Sequence, residues 1–250
     1  MDTSGYLLFL TIITIASICQ NLTGFAFGLI LVTLAGALDV MPVAMSANVA
    51  MVLALVNAAL YLRSTSVNPD WKLLRPILAS SIAGLIGGLV LLSWLSASAR
   101  NGLGILLGIV VVASSLLLVI QSKPRQTMSS PIVMHSASLL SGLMGGLFAT
   151  PGPPMAYHLY RQPLDQRTIR QCLFVIFAIS MLLRLGIVIG SGKFQLEALK
   201  LGAMAAPVVA LVTYLNARFP PRIPLKGIRW LVASLMAASG ITLLTAAIQG

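Results

Sequence analysis

The chain has 250 residues, 58% of them apolar and only 8% charged, whereas an ordinary soluble domain carries about 25% charged residues. Its formal charge of +11 comes from Lys and Arg in short connectors between apolar runs. No basic face is interleaved with aromatics, so the charge excludes nucleic acid as a partner and fits the positive-inside pattern of a membrane protein.

Apolar segments fall at about 6–38, 41–62, 73–93, 102–120, 132–160, 168–190, 196–216 and 227–248, each long enough to cross roughly 30 Å of hydrocarbon. Residues 6–18 are not a signal peptide: no basic region precedes them and no small-residue cleavage site follows, so the N-terminus is expected to be retained. The first segment is about 30 residues long and is interrupted near its middle by Cys19-Gln20-Asn21-Leu22-Thr23-Gly24-Phe25-Ala26-Phe27-Gly28. The second carries Asn48 and Asn57. In the third and fourth, Gly84-xxx-Gly88 and Gly104-xxx-Gly108 have the spacing of close helix packing. The fifth is again about 30 residues long and is broken at Gly142-Leu143-Met144-Gly145-Gly146 and Ala149-Thr150-Pro151-Gly152-Pro153-Pro154. Gln171 opens the sixth, which also contains Arg184; His135 and His158 lie towards the ends of the fifth, where they suit the interface.

Sliding the chain against itself by 126 residues superposes the first four segments on the last four, so an internal repeat of residues 1–125 and 126–250 is expected. Two threadings compete. If the long first segment of each half is an ordinary kinked span, the repeats are parallel and basic residues divide seven against eight between the two sides. If each is a re-entrant helical hairpin, Arg63, Lys72, Arg75, Lys123, Arg125, Arg161, Arg167, Arg170, Arg218, Arg222, Lys226 and Arg229 face the cytoplasm, and only Arg100, Lys193 and Lys200 face out. Positive charge collects inside, so the hairpin threading is preferred. A hairpin plus three spans is an odd number of crossings, which inverts the second half. The expected fold is therefore an all-α membrane protein of two inverted repeats, each a broken hairpin plus three transmembrane helices. Such folds place a substrate site where broken helices meet.

Irregular backbone at membrane depth is tolerated only against protein or water. Helix starts there present unpaired amides and a positive dipole, which suit an anion. The candidate binding residues are Gln20, Asn21, Thr23, Gly24, Phe25 and Gly28 of the first break, Gly146, Thr150, Gly152 and Pro153 of the second, with Asn48 and Arg184 nearby in the neighbouring spans. The competing structural reading makes the glycines packing surfaces, the amides helix–helix bonds, and Arg184 a side chain that snorkels to the headgroups. The five acidic residues, Asp2, Asp39, Asp70, Asp165 and Glu197, lie at segment ends. No buried carboxylate can relay protons or hold a cation, so a cation pump is excluded and outward movement of an anion down the inside-negative potential is favoured. Cys19 and Cys172 lie in apolar runs with no metal-ligand spacing, and neither a metal nor another cofactor is expected.

At its two breaks the chain resembles the sulfite exporter TauE/SafE family of bacterial membrane transporters. The likeness rests on Gln20 to Gly28, on Gly142-xx-Gly145-Gly146, and on Gly152-Pro153-Pro154 ahead of Tyr157. The family's usual Gly-Phe-Gly-Phe is Gly24-Phe25-Ala26-Phe27 here, and a proline often found several residues later is absent from Leu31-Val32-Thr33-Leu34. The resemblance implies an inner-membrane, multi-pass exporter of sulfite, sulfoacetate or a related organosulfonate. Its partners would be the bilayer and a small anion, and a homodimer is compatible. Transport of another small anion, or a scaffold subunit without transport, remains open from the residues alone. An intramembrane enzyme does not, because no Ser/His/Asp or paired-carboxylate set lies at membrane depth.

Overall fold

The computed structural model describes residues 3–64, 70–98, 100–120, 125–192, 194–219 and 225–249. These residues form helices α1 (Thr3–Thr23), α2 (Phe27–Ala37), α3 (Val43–Ser64), α4 (Trp71–Ser98), α5 (Arg100–Val119), α6 (Pro131–Phe148), α7 (Gly152–Tyr160), α8 (Gln166–Gly190), α9 (Leu196–Arg218) and α10 (Leu225–Gln249). No strand occurs among the described residues. Six helices (α1, α3, α4, α6, α8 and α9) contain stretches long and apolar enough to cross a membrane.

Two of the acidic residues at segment ends, Asp70 and Asp165, start helices. Asp165 accepts from the Thr168 amide at 3.0 Å and from its hydroxyl at 2.5 Å, which caps α8. The hydrogen bonds from Thr168 hold the Asp165 carboxyl below its usual range. Asp70 accepts from the amides of Lys72 and Leu73 and caps α4 in the same way. Both cysteines are free and buried.

Each long first segment becomes two helices, and the interruption falls later than its middle. The arms are therefore unequal: α1 and α6 have 21 and 18 residues, α2 and α7 only 11 and 9. The helix continues until the backbone is forced into the left-handed region, at Gly24 (φ 81°) and Ala26 (φ 83°) in the first case and at Ala149 (φ 56°) in the second. Pro151, Pro153 and Pro154 then prevent any return to the α6 ladder.

The second of these units is a hairpin. Near its tip the Ser141 hydroxyl donates to the Pro151 carbonyl. At its open end the Ser129 amide donates to Gln162 Oε1 at 2.9 Å, and the Arg125 amide donates to the Arg161 carbonyl at 2.8 Å. The chain thus enters α6 and leaves α7 at one end of the bundle. In the first unit α1 and α2 also pack on one another.

Helix directions follow from paired contacts. Tyr61 stacks on Phe174 at 3.9 Å between ring centroids, while Met51 meets Arg184, so α3 and α8 run antiparallel. Gly108 faces Leu244 and Val112 faces Gly240, so α5 and α10 are antiparallel as well. Asn57 bonds Thr213 and Val52 faces Gly202, which makes α3 and α9 parallel. One end of the bundle consequently collects the ends of α3, α5, α7 and α9 and the starts of α4, α6, α8 and α10. That end carries Arg63, Lys72, Arg75, Arg125, Arg161, Arg167, Arg170 and Arg218, with positions 226 and 229 on the first turn of α10. The opposite end has positions 100 and 200. Lys123, Lys193 and Arg222 lie outside the described residues. By the positive-inside rule the crowded end is cytoplasmic.

Candidate functional site at the two helix breaks

The two interruptions touch. A Cβ on Gly28 would stand 2.7 Å from the Ala149 carbonyl oxygen, and one on Gly152 would stand 2.9 Å from the Phe25 ring. Neither position could carry a larger residue without separating the breaks. Between them lies a pocket of about 20 Å³, lined by Gln20, Phe25, Ala26, Phe27, Gly28, Leu29, Ala54, Ala149, Thr150, Pro151, Gly152, Phe177 and Met181. That volume holds about one water molecule, so the breaks are closed on each other in this conformation.

The turn before α2 is fixed by its own side chains. The Thr23 hydroxyl donates to the carbonyls of Cys19 (2.6 Å) and Phe25 (2.9 Å) and lies 3.3 Å from the Phe25 amide, while the Tyr160 hydroxyl donates to the Thr23 carbonyl at 2.7 Å. Thr23 therefore positions Phe25 and does not face the pocket. Gly24 sits against α8, where a Cβ would meet Arg170 and Leu173. Asn21 donates to Thr213 at 3.2 Å, and Thr213 donates to Asn57, which donates to Gln20 at 2.9 Å. This buried chain ties α1, α3 and α9 together. Gln20 alone of its members lines the pocket.

The two helix starts offer different chemistry. No side chain caps α2, so the first-turn amides of Phe27, Gly28 and Leu29, three residues of the pocket lining, have no acceptor within the helix. In α7 the first turn reads Gly152-Pro153-Pro154, and two of its residues have no amide hydrogen to give. The second break contributes the Thr150 hydroxyl instead, which is buried with no hydrogen-bond partner.

Ala26 occupies a left-handed position, φ 83°, where the resemblance leads one to expect glycine. An L side chain there is strained by about 1–2 kcal/mol. Ala26→Gly is expected to raise stability by about 1 kcal/mol, once the extra freedom of an unfolded glycine is subtracted. A higher unfolding midpoint in detergent would show it; an unchanged midpoint would mean that the turn carries no strain.

On the external side of the breaks Arg184 is 2% exposed and does not snorkel. Its Nε approaches the Gly146 carbonyl at 3.4 Å and its Nη1 the Met51 sulfur at 3.6 Å. No carboxylate pairs with it among the described residues. It lines a cavity of about 390 Å³, with Asn48, Ser93, Leu147, Ser191 and Gln195, which opens at the sparsely charged end of the bundle. Of the residues singled out in the sequence, then, Gln20, Phe25, Gly28, Thr150 and Gly152 meet at the breaks. Arg184, Asn48 and Gly146 gather just outside them. Pro153 lies on the other side of Phe25, in a space of about 10 Å³ with Ser114 and Tyr160. Asn21, Thr23 and Gly24 brace the surroundings. Phe177 and Met181 line the pocket without any signal in the sequence, being apolar residues in an apolar helix. His135 bonds Ser80 at 2.6 Å between α6 and α4, and His158 is buried beside Gln162.

The model of the sulfite exporter TauE/SafE family matches residues 8–243. The chain is 28% identical over 230 residues to a Cupriavidus necator protein named probable sulfite/organosulfonate exporter TauE, covering 92% of this chain and 90% of that one. No solved structure gives a significant match. The chain belongs to the sulfite exporter TauE/SafE family, a family of transporters, and is a multi-pass protein of the inner membrane.

Proposed function

We propose that this member of the family carries sulfite or a small organosulfonate such as sulfoacetate out of the cell, through a site between the two breaks with Arg184 on its external side. Arg184 is the observation that carries the reading. A guanidinium buried without a carboxylate is destabilising by several kcal/mol, and an intramembrane cation of this kind fits a substrate pathway. Its planar fork suits two oxygens of a sulfite or sulfonate group at once. The amides of Phe27 to Leu29, the Thr150 hydroxyl and Asn48 supply further donors or dipoles along the same line. The Cupriavidus necator relative supports the sulfur oxyanion as substrate.

The architecture we propose is two inverted repeats, residues 1–125 and 126–250. A two-fold axis in the membrane plane makes each helix antiparallel to its own counterpart. The pairs α3 with α8 and α5 with α10, which meet directly, are both antiparallel, which supports this reading.

Outward movement of an anion gains about 2.3 kcal/mol per charge per 100 mV. Purified protein in liposomes, loaded with sulfite, sulfoacetate or ethanesulfonate, should show saturable efflux that rises as the lumen is made negative. Efflux is measured against protein-free vesicles. Failure of every sulfur oxyanion to move faster than in those vesicles would overturn the substrate assignment.

A further inference from the structure

At the cytoplasmic end a second cavity, of about 290 Å³, opens between the end of α5, the start of α6 and the end of α7. It lies beyond Phe25: the small space behind Phe25 shares Leu117 and Tyr157 with it. Two arginines converge there. Arg161 donates from Nη1 to the Tyr157 hydroxyl at 2.8 Å and lies 5.3 Å from the centre of that ring, while its Nε is buried without a partner. Arg125 donates from Nη1 to the Ser129 hydroxyl at 3.3 Å, and its backbone amide is tied to the Arg161 carbonyl. No carboxylate is among the lining residues. The apolar part of the lining is formed by Val133, Ala137, Leu140 and Pro154, beside Ser136, His158 and Gln162.

We propose that this cavity is a second anion site, separate from the Arg184 cavity, which takes a tetrahedral oxyanion bearing a short apolar tail. Arg161, held against Tyr157, offers its remaining N–H groups to the oxygens, and Arg125 completes the charge. The apolar wall takes the carbon chain, which gives this end a preference for organosulfonates over bare sulfite. An anion recruited here stands one aromatic ring away from the breaks. This assignment gains its transport role from the export reading above, but binding at the cavity stands or falls without it.

Equilibrium binding to the full-length protein in detergent provides the test, with methanesulfonate and propanesulfonate as probes of equal charge. Propanesulfonate should bind roughly tenfold more tightly, as two extra methylenes against an apolar wall require. Arg161→Gln and Arg125→Gln should each weaken it about tenfold, while Arg184→Met leaves this binding in place. The Arg125 side chain is exposed and hydrogen-bonds Ser129, so its variant carries the test if Arg161→Gln does not fold. In proteoliposomes at zero potential Arg161→Gln should raise KM from the cytoplasmic face with the outward kcat unchanged, while from the opposite face KM stays and kcat falls by the same factor, as detailed balance requires of a carrier that runs downhill. Unchanged binding and unchanged sided KM in both variants would overturn the proposal. A phospholipid phosphate has the same chemistry. If anionic-lipid nanodiscs abolish propanesulfonate binding and zwitterionic ones do not, the occupant is a headgroup and the small-anion assignment is overturned. Binding that persists in a protein with no flux would instead count against the export reading alone.

Discussion

Arg184→Met is expected to reduce anion flux about ten- to hundredfold while leaving the protein at least as stable as the wild type. The two effects have separate origins. A hydrogen bond to a charged group contributes roughly 1.5–3 kcal/mol, and an anion passing the 390 Å³ cavity would lose such a contact. Stability is set by a different balance. Arg184 does one structural service: its Nε reaches the Gly146 carbonyl, which lies in the last turn of α6. A cation at a helix C-terminus is stabilising by about 0.3–1 kcal/mol, up to about 2 when partly buried. Against this stands the desolvation of an unpaired guanidinium, several kcal/mol even after relaxation. The second outweighs the first, and methionine fills a similar volume.

Were Arg184 a structural residue, the signs would reverse, with a lower unfolding midpoint and unaltered flux per folded molecule. Thermal unfolding in detergent and efflux from proteoliposomes distinguish the two outcomes. Arg184→Lys refines the test. It keeps the charge but not the fork, so part of the flux should return, with weaker discrimination between oxyanions and spherical anions.

How far the site is legible in the sequence depends on which atoms make it. The breaks are legible because backbone chemistry marks them: Pro151, Pro153 and Pro154 crowd into four residues and interrupt the α6 ladder, and Gly24 stands in a polar run and takes the left-handed φ that glycine accommodates. The position of each turn is less so. Ala26 and Ala149 carry positive φ angles, and nothing about alanine announces that. Sequence spacing also suggests two equivalent amide-lined ends, yet prolines deprive α7 of the donors that α2 retains. The polar side chains are the hardest case. Gln20, Asn21 and Asn57 lie in helices apolar on every face, so periodicity cannot say which of them looks into a pocket. Only the packing of α1, α3 and α9 shows that Asn21 and Asn57 bond to Thr213 while Gln20 reaches the breaks. Arg184 is ambiguous in the sequence for the same reason, and its burial between α3 and α6 resolves it.

Gly142→Ala should be strongly damaging, because among the described glycines that pack against main chain its added methyl would come closest to backbone. Helices α4 and α6 run parallel, backbone against backbone: Gly84 and Gly88 face the Leu139 and Leu143 carbonyls, and Gly142 and Gly146 face those of Ser81 and Leu85. A Cβ on Gly142 would lie inside the van der Waals envelope of the Ser81 carbonyl oxygen. Such contact is the means by which small residues join helices where no hydrophobic drive exists, and its obstacles are main-chain atoms that no rotamer change removes. Overpacking typically costs about 1–3 kcal/mol, and a backbone obstacle puts this variant at about 3 kcal/mol. Gly87 supplies the control. It sits on the same helix, one residue before Gly88, with nothing within 4 Å of an added Cβ. Gly87→Ala should therefore be stabilising by about 0.5–1 kcal/mol through helix propensity alone. Unfolding midpoints of the two variants should move in opposite directions, and a Gly142→Ala protein as stable as the wild type would refute the packing described for α4 and α6. Flux should respond as well, because α6 carries Gly146 and the second break. Displacing that helix from α4 shifts the carbonyl that Arg184 holds, so any Gly142→Ala protein that still folds should transport poorly despite an intact set of binding side chains.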